Sequence, residues 1–270
     1  HGTIPDAVKA TQSGAFAFLT KPVEKEQLLE EVRRALKTSG FIDSMSDDWR
    51  AEFATRSPLL EDRLAKAHVV AGTDAAVLIS GEPGTGKELL AKAVHRASER
   101  REAAFVDVDC SGLEAATGET ALAAGLAEAR GGTLFLRNVD DLPPPLQACL
   151  ARQLADAATD VRIVATSDRR LEDLAGEDLF SEQLLDQLNA VHVELPPLGK
   201  RREDVPLLVA QCLEDVSAET SQPKRTCSPE AMELLATAKW PGNVRQLRMV
   251  VRQAAATGAG HRCCSSMAAT

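Results

Sequence analysis

Ala75-Ala76-Val77-Leu78-Ile79-Ser80, followed by Gly81-Glu82-Pro83-Gly84-Thr85-Gly86-Lys87-Glu88, decides how the rest of the chain is read. The first six residues are a short apolar run ending at a turn signal, the pattern of a buried strand, and from Glu88 to Ser98 the spacing becomes helical. Between them lies G-x-x-x-x-G-K, and the strand-to-helix setting separates it from a chance glycine-rich turn. Glycines let successive backbone N–H groups turn toward one phosphate, the helix N-terminus adds partial positive charge, and Lys87 supplies a mobile cation for the outer phosphates. The candidate phosphate-binding set is therefore Gly81, Glu82, Pro83, Gly84, Thr85, Gly86, Lys87 and Glu88.

On the N-terminal side, Ser57-Pro58 offers an N-cap and a proline at the first helical position, and Leu59, Leu60, Leu64 and Ala67 give one helical face up to about Ala71. On the C-terminal side, apolar runs at Ala104–Val108, Thr133–Leu136, Val161–Ala165 and Val191–Leu195 alternate with helical stretches, which predicts an α/β fold with a parallel sheet. The strand Ala75–Ser80 is expected between Thr133–Leu136 and Val161–Ala165. After Pro196-Pro197 the strands stop, and from Asp204 to about Ala256 the pattern is helical. Ser228-Pro229 opens one helix there, and the turn Trp240-Pro241-Gly242-Asn243 precedes another.

The 270 residues fit about two domains. Lys plus Arg total 31 against 40 Asp plus Glu, and the net charge of -9 argues against broad electrostatic attachment to nucleic acid or an anionic membrane. No apolar run approaches the ~20 residues of a membrane helix. Six scattered cysteines, with no C-x-x-C and no histidine at ligand spacing, indicate neither a zinc site nor a disulfide framework; reduced thiols in a cytosol are expected. The chain starts at His1 without a methionine and is expected to be a fragment entering mid-domain. Residues 1–39 read as helix, strand, helix, too little for a core of their own. Residues 40–54 read as a linker, 55–198 as the α/β unit, 199–256 as the helical unit and 257–270 as a disordered tail.

Several of these segments together resemble the AAA+ domain of the sigma-54-dependent bacterial enhancer-binding proteins. They are Gly81–Glu88, Phe105–Cys110, Gly131-Gly132-Thr133-Leu134-Phe135-Leu136, Leu195-Pro196-Pro197-Leu198 and Trp240-Pro241-Gly242-Asn243-Val244-Arg245, in the family's order over residues 55 to about 256. His1–Val8 and Phe18-Leu19-Thr20-Lys21-Pro22 resemble the end of a response-regulator receiver domain, closest to the GlrR (QseF) branch. The resemblance implies an AAA+ P-loop three-layer sandwich with a C-terminal helical lid, preceded by a partial receiver (flavodoxin-like) remnant. It implies ATP as the ligand, with Arg245 as the lid's nucleotide-facing sensor, Lys21 contacting a receiver phosphoryl group and Phe18 at the switch position. Glu88 is the usual residue of the family. A ring-shaped homo-oligomer, sigma-54 RNA polymerase and an upstream sensor kinase are the implied partners.

The chain departs from the family at the chemistry. Where members read G-G-T-L-F-L-D-E, Arg137 and Asn138 follow Leu136, so the aspartate that would organise magnesium is a cation and the glutamate that would polarise water is an amide. Asp140 and Asp141 follow, Asp140 about 7 Å further at strand rise, and are expected in a solvated loop. Ser181 and Gln187 stand where the family places two trans-acting arginines. Asp168 stands at the first sensor, where its charge would repel a γ-phosphate. The sigma-54 contact loop becomes Glu114-Ala115-Ala116-Thr117-Gly118-Glu119, without its aromatic. The second insertion shrinks to Ala155–Asp160. No helix-turn-helix follows Arg252, so no DNA-binding domain is expected in this chain, and Lys200-Arg201-Arg202-Glu203-Asp204 reads as a solvated junction. ATP binding with weakened Mg2+, no assigned catalytic residue, impaired hydrolysis and impaired sigma-54 contact are the expected outcome. A non-hydrolysing AAA+ assembly module and a decayed fragment are the alternatives.

Overall fold

The computed structural model describes residues 47–50, 53–155, 160–220 and 225–256. The chain divides after Trp49, and the sheet with its helices belongs to the unit that begins at Arg50. The readings placed on residues 1–39 and 257–270, with Phe18, Lys21, Cys263 and Cys264, lie outside the described residues, as do 156–159 of the second insertion.

Helix α1 spans Pro58–Ala71 and begins where Ser57-Pro58 predicted, burying Leu60, Leu64, Ala67 and Val70. Strand β1, Val77–Ser80, is buried at all four positions, as expected of a parallel strand covered on both faces. Helix α2, Lys87–Arg96, follows the glycine-rich loop. The chain then alternates through β2 (Phe105–Asp109), α3 (Ala115–Glu128), β3 (Thr133–Arg137), α4 (Pro144–Leu154) and β4 (Arg162–Ser167). Two short helices, α5 (Leu171–Gly176) and α6 (Glu182–Leu188), lead to β5 (Val191–Glu194).

The five strands form one parallel sheet in the order β2-β3-β4-β1-β5. Strand β1 thus lies between β4 and β5, not between β4 and β3: Val77 pairs with Val164 on one side and Val191 on the other. Periodicity located the strands but carried no information on adjacency, and the α5–α6 connection takes the chain past β1 to the far edge. Helices α1 and α2 pack on each other, while α3, α4 and α6 form a second group. The main core draws on the second group and the strands, with Leu122, Leu146, Leu150, Leu184 and Leu188 against Leu134, Leu136 and Ile163. Arg162 is 1% exposed at the start of β4 and donates to the Val70 and Ala71 carbonyls, closing the C-terminal end of α1.

Helices α7 (Val205–Thr220), α8 (Pro229–Thr237) and α9 (Asn243–Ala256) form the lid. Ser228 caps α8, its hydroxyl accepting from the Ala231 amide at 3.2 Å. The lid has its own core of Leu198, Val205, Val209, Cys212, Leu247 and Val251. The three-layer sandwich with a helical lid is the architecture the motifs implied.

Candidate functional site

Helix α2 leaves the C-terminal end of β1 on one face of the sheet and α5–α6 leave β4 on the other, so the loops after β1 and β4 open a crevice between them, the usual ligand position in a parallel α/β sheet. Gly84 and Gly86 adopt φ of 78° and 108°, in the region that favours glycine. A Cβ on Gly84 would also run into the Gly242 carbonyl oxygen of the lid. The Thr85 hydroxyl braces the loop from inside, donating to the Glu82 carbonyl at 2.8 Å.

An open cleft of about 290 Å³ lies over this loop, lined by Pro83, Gly84, Thr85, Gly86, Lys87 and Glu88 on one side and by Arg245 and Arg248 of α9 on the other. That volume sits at the lower bound of roughly 300 Å³ for small-molecule sites. Gly81 and Glu82 are not on its wall. Gly81 instead approaches Leu195 so closely that a side chain there would meet the Leu195 carbonyl oxygen at 2.8 Å. Arg245 is exposed and its guanidinium has no partner among the described residues. Phe53, assigned to the linker from sequence, is 9% exposed and lines the cleft beside Gly86.

The lid is tied to the loop. Val244 N–H donates to the Gly84 carbonyl at 3.1 Å, and the Asn243 amide donates to Glu82 Oε2 and the Pro83 carbonyl, each at 3.0 Å. The run Lys200–Asp204 is not a solvated junction, because Arg201 is 3% exposed and Asp204 wholly buried. Arg201 donates to the Thr85 carbonyl at 2.9 Å. Asp204 accepts from the Thr55 hydroxyl and from the Arg56 and Ser57 amides. Burial pushes the Arg201 pKa down, with Asp204 opposing it. These residues and Asn243 were missed in sequence; the buried partners of Asp204 lie about 150 residues away, beyond any local signal.

Lys87 is buried, and its ammonium has three acceptors: the Gly81 carbonyl at 2.6 Å, the Glu82 carbonyl at 3.1 Å and Asp168 Oδ1 at 2.5 Å. A lysine has three N–H donors, so all are committed. Asp168, expected to repel a phosphate, here takes the cation a phosphate would use.

Arg137 at the end of β3 sits among three carboxylates: Asp107 at 3.0 Å, Asp109 at 3.4 Å and Glu88 at 3.7 Å. Burial works against its charge, but Asp107, Asp109 and Glu88 outweigh it and hold the pKa above the ordinary guanidinium value. Asn138 adopts φ of 54°, which asparagine tolerates better than most residues, and its side-chain amide reaches Asp109 Oδ1 at 3.4 Å. Asp140 is not solvated. Its side chain is 3% exposed, accepts from Arg169 Nε at 3.2 Å and from the Asp168 amide at 3.3 Å, and packs where the β3 and β4 ends meet. Asp141 is half exposed near Arg169, and burial beside Asp140 raises its pKa.

The residues present do not fit a magnesium ion: each of these carboxylates is ion-paired with a lysine or arginine, and among the described residues no group of three or more His, Cys, Asp and Glu is placed to hold a metal. Ser181 and Gln187, expected where the family places two arginines, are given to internal bonding. Ser181 caps α6, and its amide donates to Gln147, while Gln187 donates to the Ala151 carbonyl at 3.1 Å. The expected contact loop Glu114–Glu119 is no loop: Glu114 precedes α3, and Ala115–Glu119 are its first turn. Gly118 packs under Leu146 there, which ties the segment to α4. Cys110, Cys149 and Cys212 are buried free thiols, and burial pushes Cys110 up to about 12. Among the described residues no helix is long and apolar enough to cross a membrane.

The sigma-54 interaction domain family matches residues 53–194, and the AAA+ ATPase lid domain matches residues 199–264. The transcriptional regulatory protein GlrR of Escherichia coli (strain K12) is 40% identical over 95% of this chain and 63% of its own length. The DNA-binding transcriptional regulator NtrC of Azospirillum brasilense is 37% identical over 95% of this chain and 60% of its own. The chain thus spans about three fifths of these relatives. The crystal structure of NtrX from Brucella abortus in complex with ATP superposes with a TM-score of 0.73 at 33% identity, covering 97% of this chain and 66% of that one.

Proposed function

The chain belongs to the sigma-54 interaction domain family, and from that premise we propose that it is the ATP-binding core of a sigma-54-dependent two-component transcriptional regulator with impaired hydrolysis and impaired sigma-54 contact. One observation carries the binding half: the glycine loop after β1, with Lys87 and Arg245 on opposite walls of one cleft. Gly81 to Glu88 and Arg245 are assigned to the nucleotide, Gly81 and Glu82 through the carbonyls that hold Lys87, and ATP as the ligand is supported by the ATP complex of NtrX.

The hydrolytic half rests on what is missing. Arg137 and Asn138 offer neither a metal anchor nor a proton acceptor. An arginine finger is worth about 10³ to 10⁵ in rate in other nucleotide hydrolases, and Ser181 and Gln187 supply none. The helical Ala115–Glu119 segment, paired through Glu119 to Arg152 at 3.2 Å, leaves no free loop to engage sigma-54. The cytoplasm is the assigned compartment, a ring of identical chains the assigned assembly and a sensor kinase the assigned upstream partner. The ion-paired Arg137 specifically favours a second reading, a non-hydrolysing AAA+ assembly module.

Calorimetric titration with ATP and ADP tests the assignment. The parent is expected to bind between about micromolar and millimolar affinity, and Lys87→Ala to lose the signal. Equal signals from both proteins refute this site.

A further inference from the structure

We propose that this chain takes its nucleotide as a metal-free anion, with the Arg137 guanidinium standing permanently where a divalent cation would be anchored. The inference rests on the nucleotide-binding reading above and concerns the same crevice.

Three cations pair with six of the carboxylates around the glycine loop, while Glu82, in the loop itself, accepts from the Asn243 side-chain amide. Arg137 holds Glu88, Asp107 and Asp109, Arg169 holds Asp140 and Asp141, and Lys87 holds Asp168. A magnesium ion needs near-octahedral oxygen ligands and is usually held through one or two protein carboxylates plus phosphate oxygens. Here each of these six would have to give up contact with a guanidinium or ammonium partner, and Glu82 its bond from Asn243. Arg137 also brings a like charge to the end of β3, one residue from Asn138 and 3.7 Å from Glu88, both on the cleft wall. A divalent ion carried in on the phosphates would have to compete with Arg137 for Glu88 and would meet that repulsion. The free nucleotide meets Arg245 and Arg248 without it.

The arrangement also gives Asp107 and Asp109 a role. They alternate with inward Val106 and Val108 on β2 and point their carboxylates at Arg137 of the neighbouring strand, register partner of Asp109. A guanidinium with two strand-borne carboxylates and one from the first turn of α2 is a fixed ionic cluster, not a flexible surface arginine.

The experiment follows N-methylanthraniloyl-ATP fluorescence on the full chain, in EDTA and in excess magnesium chloride at matched ionic strength. Binding in magnesium is expected to equal or fall below binding in EDTA, while Arg137→Asp becomes magnesium-dependent. Tightening of the parent by more than about threefold on adding magnesium overturns the proposal. A second arm needs no nucleotide. The electron paramagnetic resonance signal of free Mn2+ is expected to be undiminished by the parent and reduced by Arg137→Asp. Loss of the Mn2+ signal with the parent, or no gain of metal response in a folded Arg137→Asp, overturns it as well. If the fluorescent nucleotide binds in neither condition, the nucleotide reading falls, and the Mn2+ arm still decides whether Arg137 keeps the ion out. Both parent measurements stand even if the variant does not fold.

Discussion

Replacing Asp168 by asparagine is expected to tighten nucleotide binding. In the parent all three ammonium donors of Lys87 are satisfied internally, and of the three acceptors only Asp168 is a charged side chain able to swing away. A phosphate must therefore displace the carboxylate before it gains the lysine. Charged hydrogen bonds are worth about 1.5–3 kcal/mol. Lys87 is 8% exposed but Asp168 38%, and solvent on that side brings the pair to about 1–2 kcal/mol. The asparagine side chain keeps the size and a neutral acceptor, removing only the charge that competes with phosphate. That converts to about five- to thirtyfold tighter ATP and ADP binding in Asp168→Asn. Titration calorimetry of parent, Asp168→Asn and Lys87→Ala at one ionic strength reads it directly. An Asp168→Asn protein with the parental unfolding curve and unchanged or weaker affinity would refute the reasoning, because Lys87 would then already be available.

Asp204→Ala strips a buried acceptor from the Thr55 hydroxyl and the Arg56 and Ser57 amides and leaves Arg201 buried beside it without its counter-ion, a loss of about 3–5 kcal/mol. Thermal unfolding is expected to shift down by about 10 °C, and a shift under about 3 °C would contradict that role for the carboxylate. Burial, with Arg162 adding to it, holds His95 below the ordinary value of 6.5, and burial does the same for His192. The unfolded chain then binds more protons than the folded one below that value, so stability is complete above it and falls as the pH drops through it. Urea unfolding between about pH 7 and pH 5.5 should show the decline, reduced in His95→Gln; stability independent of pH over that interval would contradict it.

The loop Gly81–Lys87 was legible because three constraints coincide in a few residues: a buried strand before, a helix after, and glycines where the backbone needs positive φ. The inner strand β1 was legible for a similar reason, since burial on both faces makes it an uninterrupted apolar run, Val77-Leu78-Ile79, whereas the edge strands β2 and β5 alternate with Asp107, Asp109, His192 and Glu194. Strand adjacency was not, because it is set by the α5–α6 crossover, whose length does not state which edge it reaches. Charged residues are the least legible. Lys200–Asp204 and Asp140 have the composition of solvated turns, yet Asp204 is buried by the N–H groups of residues 56 and 57 and Asp140 by Arg169. Asp168 lines the same cleft as Lys87, but its pairing is not legible in the sequence: its carboxylate engages Lys87 and is not left as a bare repulsive charge. Glu114–Glu119 resembles a loop in sequence, yet Ala115–Glu119 begin a helix, because its alanines and Glu are good helix formers.

Whether the crevice holds nucleotide without turning it over is decided by phosphate release at saturating ATP. The parent is measured beside Lys87→Ala as the blank and beside an Arg137→Asp, Asn138→Glu double variant. The parent is expected at the level of the blank, and the double variant only slightly above it, since Ser181 and Gln187 still supply no arginine and groups that act together recover little singly. Parental turnover well above Lys87→Ala would contradict this, and would mean that an acid now tied to Arg137 or Arg169 is released to do the chemistry when ATP binds.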